Sequence, residues 1–405
     1  MTQYDSDQRL TVDGTALEDV AREFGTPCYV YSAKTLRENW ARFESAFQRQ
    51  NHLICYAVKA NANPALLRSL KELGAGFDIV SAGELDMVLS VGADPRTIVF
   101  SGVGKTRQEI VHALNHNIGH FNVESVAELE RINELAGAQN TIANVAIRAN
   151  PDIDAGTHPY IATGLEQNKF GIPIAEVPKL EKTIKRLTNI SLMGLACHIG
   201  SQIEKCEPFA EAALSLEQLR QTMTELGFEI TSMDLGGGLA ATADAPTINE
   251  WIDALETTIP PDVTLKIEPG RSMVGNTGVL LTRVEYLKQS DAKNFAIVDA
   301  GMNDFLRPAL YQGWHDILNC RLRDQEQPLT WDVVGPVCES GDFLGKERQL
   351  AIHQDDLLAV TCAGAYGYVM TSTYNGRPRP AEVLIDDGRA TLIRQRQKDL
   401  AEPIT

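Results

Sequence analysis

The strongest constraint on this chain is a rhythm: between residues 52 and 271, eight short apolar runs alternate with amphipathic stretches. The runs are HLICYAVKA (52–60), GFDIVS (76–81), TIVFSG (97–102), HFNVES (120–125), NVAIRANP (144–151), SLMGLACHIG (191–200), TSMDLGGG (231–238) and TLKIEPGR (264–271). Each holds a few apolar, largely β-branched residues and ends in turn or polar residues, as strands buried on both faces do. Between them, PALLRSLKELG (64–74) opens on Pro and closes on Gly, the usual punctuation of a helix. AGELDMVLSVG (82–92), TRQEIVHALNHN (106–117), SVAELERINELAG (125–137), PFAEAALSLEQLRQTMTELG (208–227) and INEWIDALETTI (248–259) behave alike. This succession predicts an α/β protein built on a closed, TIM-type (β/α)8 barrel. An open doubly wound sheet is the alternative, but the glycine-rich turn usual after its first strand is absent.

After Arg271 the rhythm changes. GVLLTRVEYLKQ (278–289), NFAIVDA (294–300), TWDVVGP (330–336), LLAVTCAG (357–364), AEVLIDD (381–387) and RATLIRQR (389–396) read as strands without intervening helices. Turn residues such as Asp387-Gly388 separate them, which predicts an antiparallel β-sandwich or barrel. LTVDG (10–14) and CYVYS (28–32) precede the first barrel strand and are assigned to the same β-domain. The expected organisation is a barrel over residues 33–272 and a discontinuous β-domain of residues 1–32 and 273–405. A net charge of −17 argues against a nucleic-acid or anionic-membrane surface. No apolar run approaches the roughly 18–20 residues that cross a bilayer, and MTQYDSDQRL has no signal-peptide character. The seven cysteines are scattered, odd in number and free of any C-x-x-C pair. They point to a reduced, cytoplasmic enzyme rather than to a disulfide framework or thiolate zinc site.

Barrel enzymes place their chemistry at the C-terminal ends of the strands. Those ends carry Lys59, Asp78 with Ser81, Ser101, Glu124, Arg148, His198 with Ser201, Gly236 to Gly238, and Glu268 with Arg271. Such groups are costly at the end of an apolar strand unless paired. Lys59 is either a lysine reaching outward from its strand or a desolvated amine able to form a Schiff base with an aldehyde cofactor. Three successive glycines after Asp234-Leu235 free backbone N–H groups to approach a phosphate, at a loop where barrels often bind one. Glu268 either pairs with Arg271 or faces the ring nitrogen of a cofactor and sharpens it as an electron sink. His198 is either a core histidine or a ring stacked on that cofactor.

Other local patterns carry less. SGVGKT (101–106) resembles part of a phosphate loop, but Val99 stands where its first glycine belongs. His112, His116 and His120 are four apart, yet Gly119 interrupts the helix that would align them on a metal. Cys197 and His198 are adjacent in a strand pattern, which sends their side chains to opposite faces and argues against a nucleophile–base pair.

Several longer motifs occur together between about residues 25 and 395: YAVKAN (56–61), FDIVSAGEL (77–85), THPYIATGLEQNKFGI (157–172), HIGSQI (198–203), DLGGG (234–238), EPGR (268–271), RPALY (307–311), CESGD (338–342) and AGAYG (363–367). In these the chain resembles the fold type III, alanine-racemase-like decarboxylases that depend on pyridoxal 5′-phosphate (PLP). Within them it is most similar to members acting on meso-2,6-diaminopimelate in the last step of lysine biosynthesis. The resemblance implies that Lys59 holds PLP covalently, that His198 stacks on its ring and that Glu268 meets its pyridine nitrogen. Asp78, Arg148, Ser201, Gly236, Gly237, Gly238, Gly270, Arg271 and Tyr366 are the further cofactor contacts expected. It assigns substrate contacts to Arg271, Arg307, Tyr311, Glu339 and Tyr366, and proton donation to Cys338. Cys338 and Glu339 are expected to reach the partner subunit's site in a homodimer, and no metal is expected.

The substrate class follows from charge. The distal end of diaminopimelate carries an ammonium and a carboxylate, which Glu339 and Arg307 complement. A relative acting on ornithine, lysine or arginine has no use for a distal arginine. Two other classes stay open at this point: a PLP-binding protein without decarboxylase activity, and a barrel hydrolase using Glu124, Asp78 or Glu268.

Overall fold

The computed structural model describes residues 1–154, 164, 167–241, 245–323 and 326–398. The chain forms two compact units, one of residues Asn39–Ser272 and one of Met1–Glu38 with Met273–Thr405.

The first unit is a closed barrel. Its strands are His52–Ala57, Gly76–Ile79, Ile98–Phe100, His120–Val123, Ala143–Asn150, Ile190–Ala196, Ser232–Asp234 and Thr264–Ile267. Each pairs in parallel with the next. The last returns to the first, with Leu265 opposite His52 and Ile267 opposite Ile54. Every apolar run singled out in the sequence supplies one strand, as both-face burial requires: Phe77, Phe100, Phe121, Val145, Leu195, Met233 and Leu265 have almost no accessible surface. The helices begin where capping chemistry sits. Asn63 accepts the N–H of Ala65, and Thr106 with Glu109 and Thr247 with Glu250 form reciprocal capping boxes.

The crossover between the fifth and sixth strands departs from the simple alternation. Strand Ile172–Pro173 extends the fifth strand's edge, and a 3-10 segment, Ile174–Leu180, precedes helix Glu181–Arg186. Pro173 and Pro178 interrupt the helical pattern there, so this stretch carries no clear periodicity in sequence.

The second unit holds a mostly antiparallel sheet. Its strand order is Phe343–Leu350, Leu329–Val334, Phe295–Val298, Gly278–Lys288, Cys28–Ser32, Ala381–Asp386, Arg389–Arg394. Strands Leu357–Val360 and Ile317–Asn319 branch from the long central strand. Two pairings are parallel, against the antiparallel expectation: Phe295–Val298 with Leu329–Val334, and Cys28–Ser32 with Ala381–Asp386. Neither pair is joined by a hairpin. A long connection, or the barrel itself, separates each pair in sequence, which is the condition parallel neighbours need. The Asp387-Gly388 turn closes the last hairpin with positive φ at both residues, +47° and +76°. The LTVDG segment forms a separate small sheet of Thr2–Tyr4, Leu10–Val12 and Thr15–Ala16. Strand Phe343–Leu350, with Lys346, Glu347 and Arg348 in its middle, has too little apolar alternation to be read from sequence.

Candidate active site

The first barrel strand stops at Ala57 and tightens into a 3-10 turn, Val58–Ala60, which places Lys59 at the strand's end. Its ammonium is ion-paired with Oδ2 of Asp78 on the second strand. Asp78 is fully buried, and its Oδ1 has no hydrogen-bond partner among the described residues. The helix after that strand brings Glu84 close by. Burial, and then the Asp78 charge, push the Glu84 carboxyl up to about 7, although Val80 N–H donates to it at 2.7 Å.

Lys59, Arg148, His198 and Glu268 line one cavity of about 190 Å³, together with Ser101, Asn122 and Phe170. A larger hollow of about 460 Å³ in the sheet unit is walled by arginines paired with acids, as Arg321 is with Glu18 and Arg323 with Asp356; it contains none of the residues singled out above. Arg148 donates to Oε1 of Glu124 at 2.8 Å, with its guanidinium 4.9 Å from the Phe170 ring centroid. Glu124 also accepts the N–H groups of Gly102 at 3.1 Å and Gly171 at 2.9 Å, so this pair knits three loops together.

The glycine loop is built by close backbone approach. A Cβ on Gly236 would stand 2.5 Å from His198 Nδ1, one on Gly237 2.2 Å from the Glu268 carbonyl oxygen, and one on Gly238 2.3 Å from the Gly200 carbonyl oxygen beside Ser201. Gly236 and Gly238 also hold positive φ, +65° and +111°. His198 Nδ1 accepts the Gly237 N–H at 3.1 Å, which leaves the ring proton on Nε2. Burial, then Arg148 and Lys59, depress the His198 pKa well below its usual range, so the imidazole is neutral. Gly270 follows Glu268-Pro269, and Arg271 opens the short helix Arg271–Val274.

Glu268 lies over a group that sequence reading had not assembled. Burial, then the charges of Asp234 and Asp78, push its carboxyl well above the ordinary range. Asp234 is raised as well, mainly by burial, and the two carboxyls hydrogen-bond to each other. Asp234 Oδ1 takes the Gly236 N–H at 2.9 Å, while its Oδ2 has no other N–H or O–H donor among the described residues. Both carboxyls therefore hold a proton more tightly than free acids do. Nearby, Lys266 Nζ lies 3.2 Å from His120 Nδ1, and burial lowers the pKa of both. The sequence signal for these groups was a polar residue interrupting an apolar strand, in TLKIEP and HFNV.

The other patterns resolve into structural contacts. Lys105 of SGVGKT is consumed by the carbonyls of Gly102 and Asn122 and by Glu128, at 2.7–2.8 Å. His112 pairs with Asp86 at 2.7 Å, whereas His120 lies on a barrel strand. Of the THPYIATGLEQNKFGI motif, residues 157–163, 165 and 166 lie outside the described residues.

The remaining singled-out residues belong to the sheet unit. Arg307 is the first residue of helix Arg307–Tyr311, is 4% exposed, and stands 5.8 Å over the Tyr311 ring. Cys338 and Glu339 are exposed on the turn beyond Leu329–Val334, where Asn375 Oδ1 accepts the Cys338 N–H at 3.0 Å. Tyr366 holds a positive φ of +52°, an outlying conformation for a bulky residue and of the kind that gathers at functional sites.

The barrel cavity fits a cofactor that offers an aldehyde, a basic aromatic nitrogen and an anion. It presents an amine on Lys59, a buried carboxyl on Glu268 raised above its ordinary range, and glycine backbone that admits no Cβ. Two buried polar atoms without partners among the described residues, Asp78 Oδ1 and Asn122 Oδ1, border the same groups.

Residues 33–275 match the family described as "Pyridoxal-dependent decarboxylase, pyridoxal binding domain". The chain is 48% identical to the diaminopimelate decarboxylase of Vibrio cholerae, over 98% of this chain and 96% of that one. Among solved structures, it matches the diaminopimelate decarboxylase of M. jannaschii in co-complex with L-lysine with a TM-score of 0.93 and 37% identity, covering 98% and 95% of the two chains. The Helicobacter pylori diaminopimelate decarboxylase complexed with L-lysine gives a TM-score of 0.91 and 38% identity, over 94% and 97%.

Proposed function

The chain belongs to the pyridoxal-dependent decarboxylases, in their diaminopimelate branch, and from that premise we propose how its residues convert meso-2,6-diaminopimelate to L-lysine and CO2. Bound PLP supplies an aldehyde that captures an amino group and an electron-poor ring that takes up the electron pair left by CO2. The observation that carries the assignment is Lys59, ion-paired to buried Asp78, lining the same cavity as buried Glu268.

Lys59 is the amine that holds the cofactor. Asp78 lowers the cost of keeping its ammonium in a low-dielectric cavity before that bond forms. Glu268 would face the cofactor's ring nitrogen, where its carboxyl, raised by burial and by the Asp234 charge, could share a proton with that nitrogen and balance the ring's positive charge as a carboxylate. Neutral His198 offers a flat, uncharged ring face held in place by Gly237. Ser201, Gly236 to Gly238, Gly270, Arg271 and Tyr366 are assigned to the phosphate, with Arg148 bracing the wall beside it.

On the substrate side, Arg307 grips the distal carboxylate, Glu339 pairs with the distal ammonium, and Arg271, Tyr311 and Tyr366 complete the contacts. The Cys338 thiol delivers the proton to the carbon that has lost CO2. Its exposure on a turn, with Glu339 beside it, supports a homodimer in which both residues serve the partner's site. All seven cysteines are free, which supports a reduced, cytoplasmic setting. Among the described residues, no helix is long and apolar enough to cross a membrane.

The deciding experiment incubates the PLP-loaded protein with meso-diaminopimelate, L-lysine, L-ornithine and L-arginine separately, following CO2 and amine product. Release from diaminopimelate alone, with lysine formed, is expected. Release chiefly from ornithine or arginine would overturn the role given to Arg307 while leaving Lys59 in place.

A further inference from the structure

Arg307 does not hold its own orientation. Its Nε donates to His315 Nε2 at 3.3 Å, and His315 Nδ1 lies 2.9 Å from the Thr361 carbonyl oxygen. A carbonyl only accepts, so Nδ1 carries the ring proton and Nε2 presents its lone pair to Arg307. The ring is neutral and its tautomer is dictated by the backbone. His315 is 5% exposed, and Phe305 packs against it edge-on, with centroids 4.7 Å apart. The chain brings residue 315 back beside residue 307 through a left-handed Gln312 at the helix end, φ +53°, and the Gly313 N–H reaching the Arg307 carbonyl at 3.3 Å.

A guanidinium can take a carboxylate along its Nε edge or along its Nη1/Nη2 end. With Nε committed to His315, the Nε edge is closed to a carboxylate. We propose that His315 is a positioning residue for substrate selection: it fixes Arg307 end-on, and so sets the distance at which a distal carboxylate is read. This rests on the proposed reading of Arg307 as the distal-carboxylate contact.

The test uses the PLP-loaded enzyme and two numbers, the KM for meso-diaminopimelate and the inhibition constant of 1,5-diaminopentane, which carries no carboxylate at either end. Thermal melting checks each variant's fold. His315→Leu is expected to raise the KM roughly tenfold, the scale of one lost hydrogen bond to a charged group, with kcat and the 1,5-diaminopentane constant little changed. His315→Gln, whose carboxamide oxygen reaches toward the Nε2 position, is expected to recover most of the loss. His315→Asn, too short to reach Arg307, is not. In an Arg307→Ala background, His315→Leu is expected to add nothing. If His315→Leu leaves the ratio of the two constants unchanged while Arg307→Ala lowers it, the positioning role of His315 is wrong and the Arg307 reading survives. If Arg307→Ala leaves the ratio unchanged as well, the underlying reading fails. Should His315→Leu not fold, Gln and Asn decide: equal constants in those two overturn the inference.

Discussion

Asp342 Oδ2 accepts the main-chain N–H of Val337 at 2.6 Å, one residue ahead of Cys338. Its other oxygen accepts the Met302 N–H, also at 2.6 Å, so one buried carboxylate ties the loop of Cys338 and Glu339 to the loop that leads to Arg307. The cradle needs glycine: a Cβ on Gly335 would lie 2.4 Å from Asp342 Oδ2. Asp342→Ala leaves two buried N–H groups without acceptors and is expected to lower stability by about 2–4 kcal/mol. Asp342→Asn keeps the shape but turns a donor toward one of those N–H groups, so only part of the loss returns. Urea unfolding gives the energies, and the rate of Cys338 alkylation by iodoacetamide reports the loop; an unchanged rate in both variants contradicts the clamp.

Lys59→Ala removes the amine proposed to hold the cofactor. After borohydride reduction, mass spectrometry is expected to find PLP attached to the wild-type peptide containing Lys59 and to no peptide of the variant. Mixed with inactive Cys338→Ala protein, the Lys59→Ala protein is expected to regain some activity, because one of two shared sites in a hybrid dimer keeps both groups. No recovery after verified subunit exchange argues against a shared site.

Gly237→Ala forces a methyl against the Glu268 carbonyl, where only 2.2 Å is available. The loops must part, at a cost of about 1–3 kcal/mol, and PLP affinity is expected to fall with the melting temperature. Gly104→Ala is the control, since nothing lies within 4 Å of its Cβ position. It is expected to stay within about 0.5 kcal/mol of wild type. Equal effects at the two sites would contradict the close-approach account.

Glu84 titrates near 7 in the folded chain against an ordinary 4.5. Between those values the folded state holds a proton that the unfolded state has lost. Stability from this group is therefore full below 4.5 and declines as pH rises through about 7. Glu84→Gln still accepts the Val80 N–H but cannot ionise, so its urea midpoint is expected to vary less than wild type between pH 5 and 8. A parallel pH dependence in the two proteins places the titration elsewhere.

What the sequence determined by itself is local: the eight barrel strands, the helices capped by Asn63, Thr106 and Thr247, and the Asp387-Gly388 hairpin. Each is written in a few neighbouring residues whose periodicity or φ preference admits one answer. Lys59, Glu268 and the glycine run were legible as unusual residues at strand ends, but their chemical states were not. Tertiary structure alone set Asp78 beneath Lys59, raised the Asp234 and Glu268 carboxyls together, and chose the tautomers of His198 and His315. It also inserted Cys28–Ser32 between strands from the far end of the chain, making one pairing parallel. Those outcomes depend on which distant groups share a dry environment. A carboxyl's charge or an imidazole's tautomer follows from burial and from the neighbour's hydrogen bond, and neither exists until the chain has closed around it.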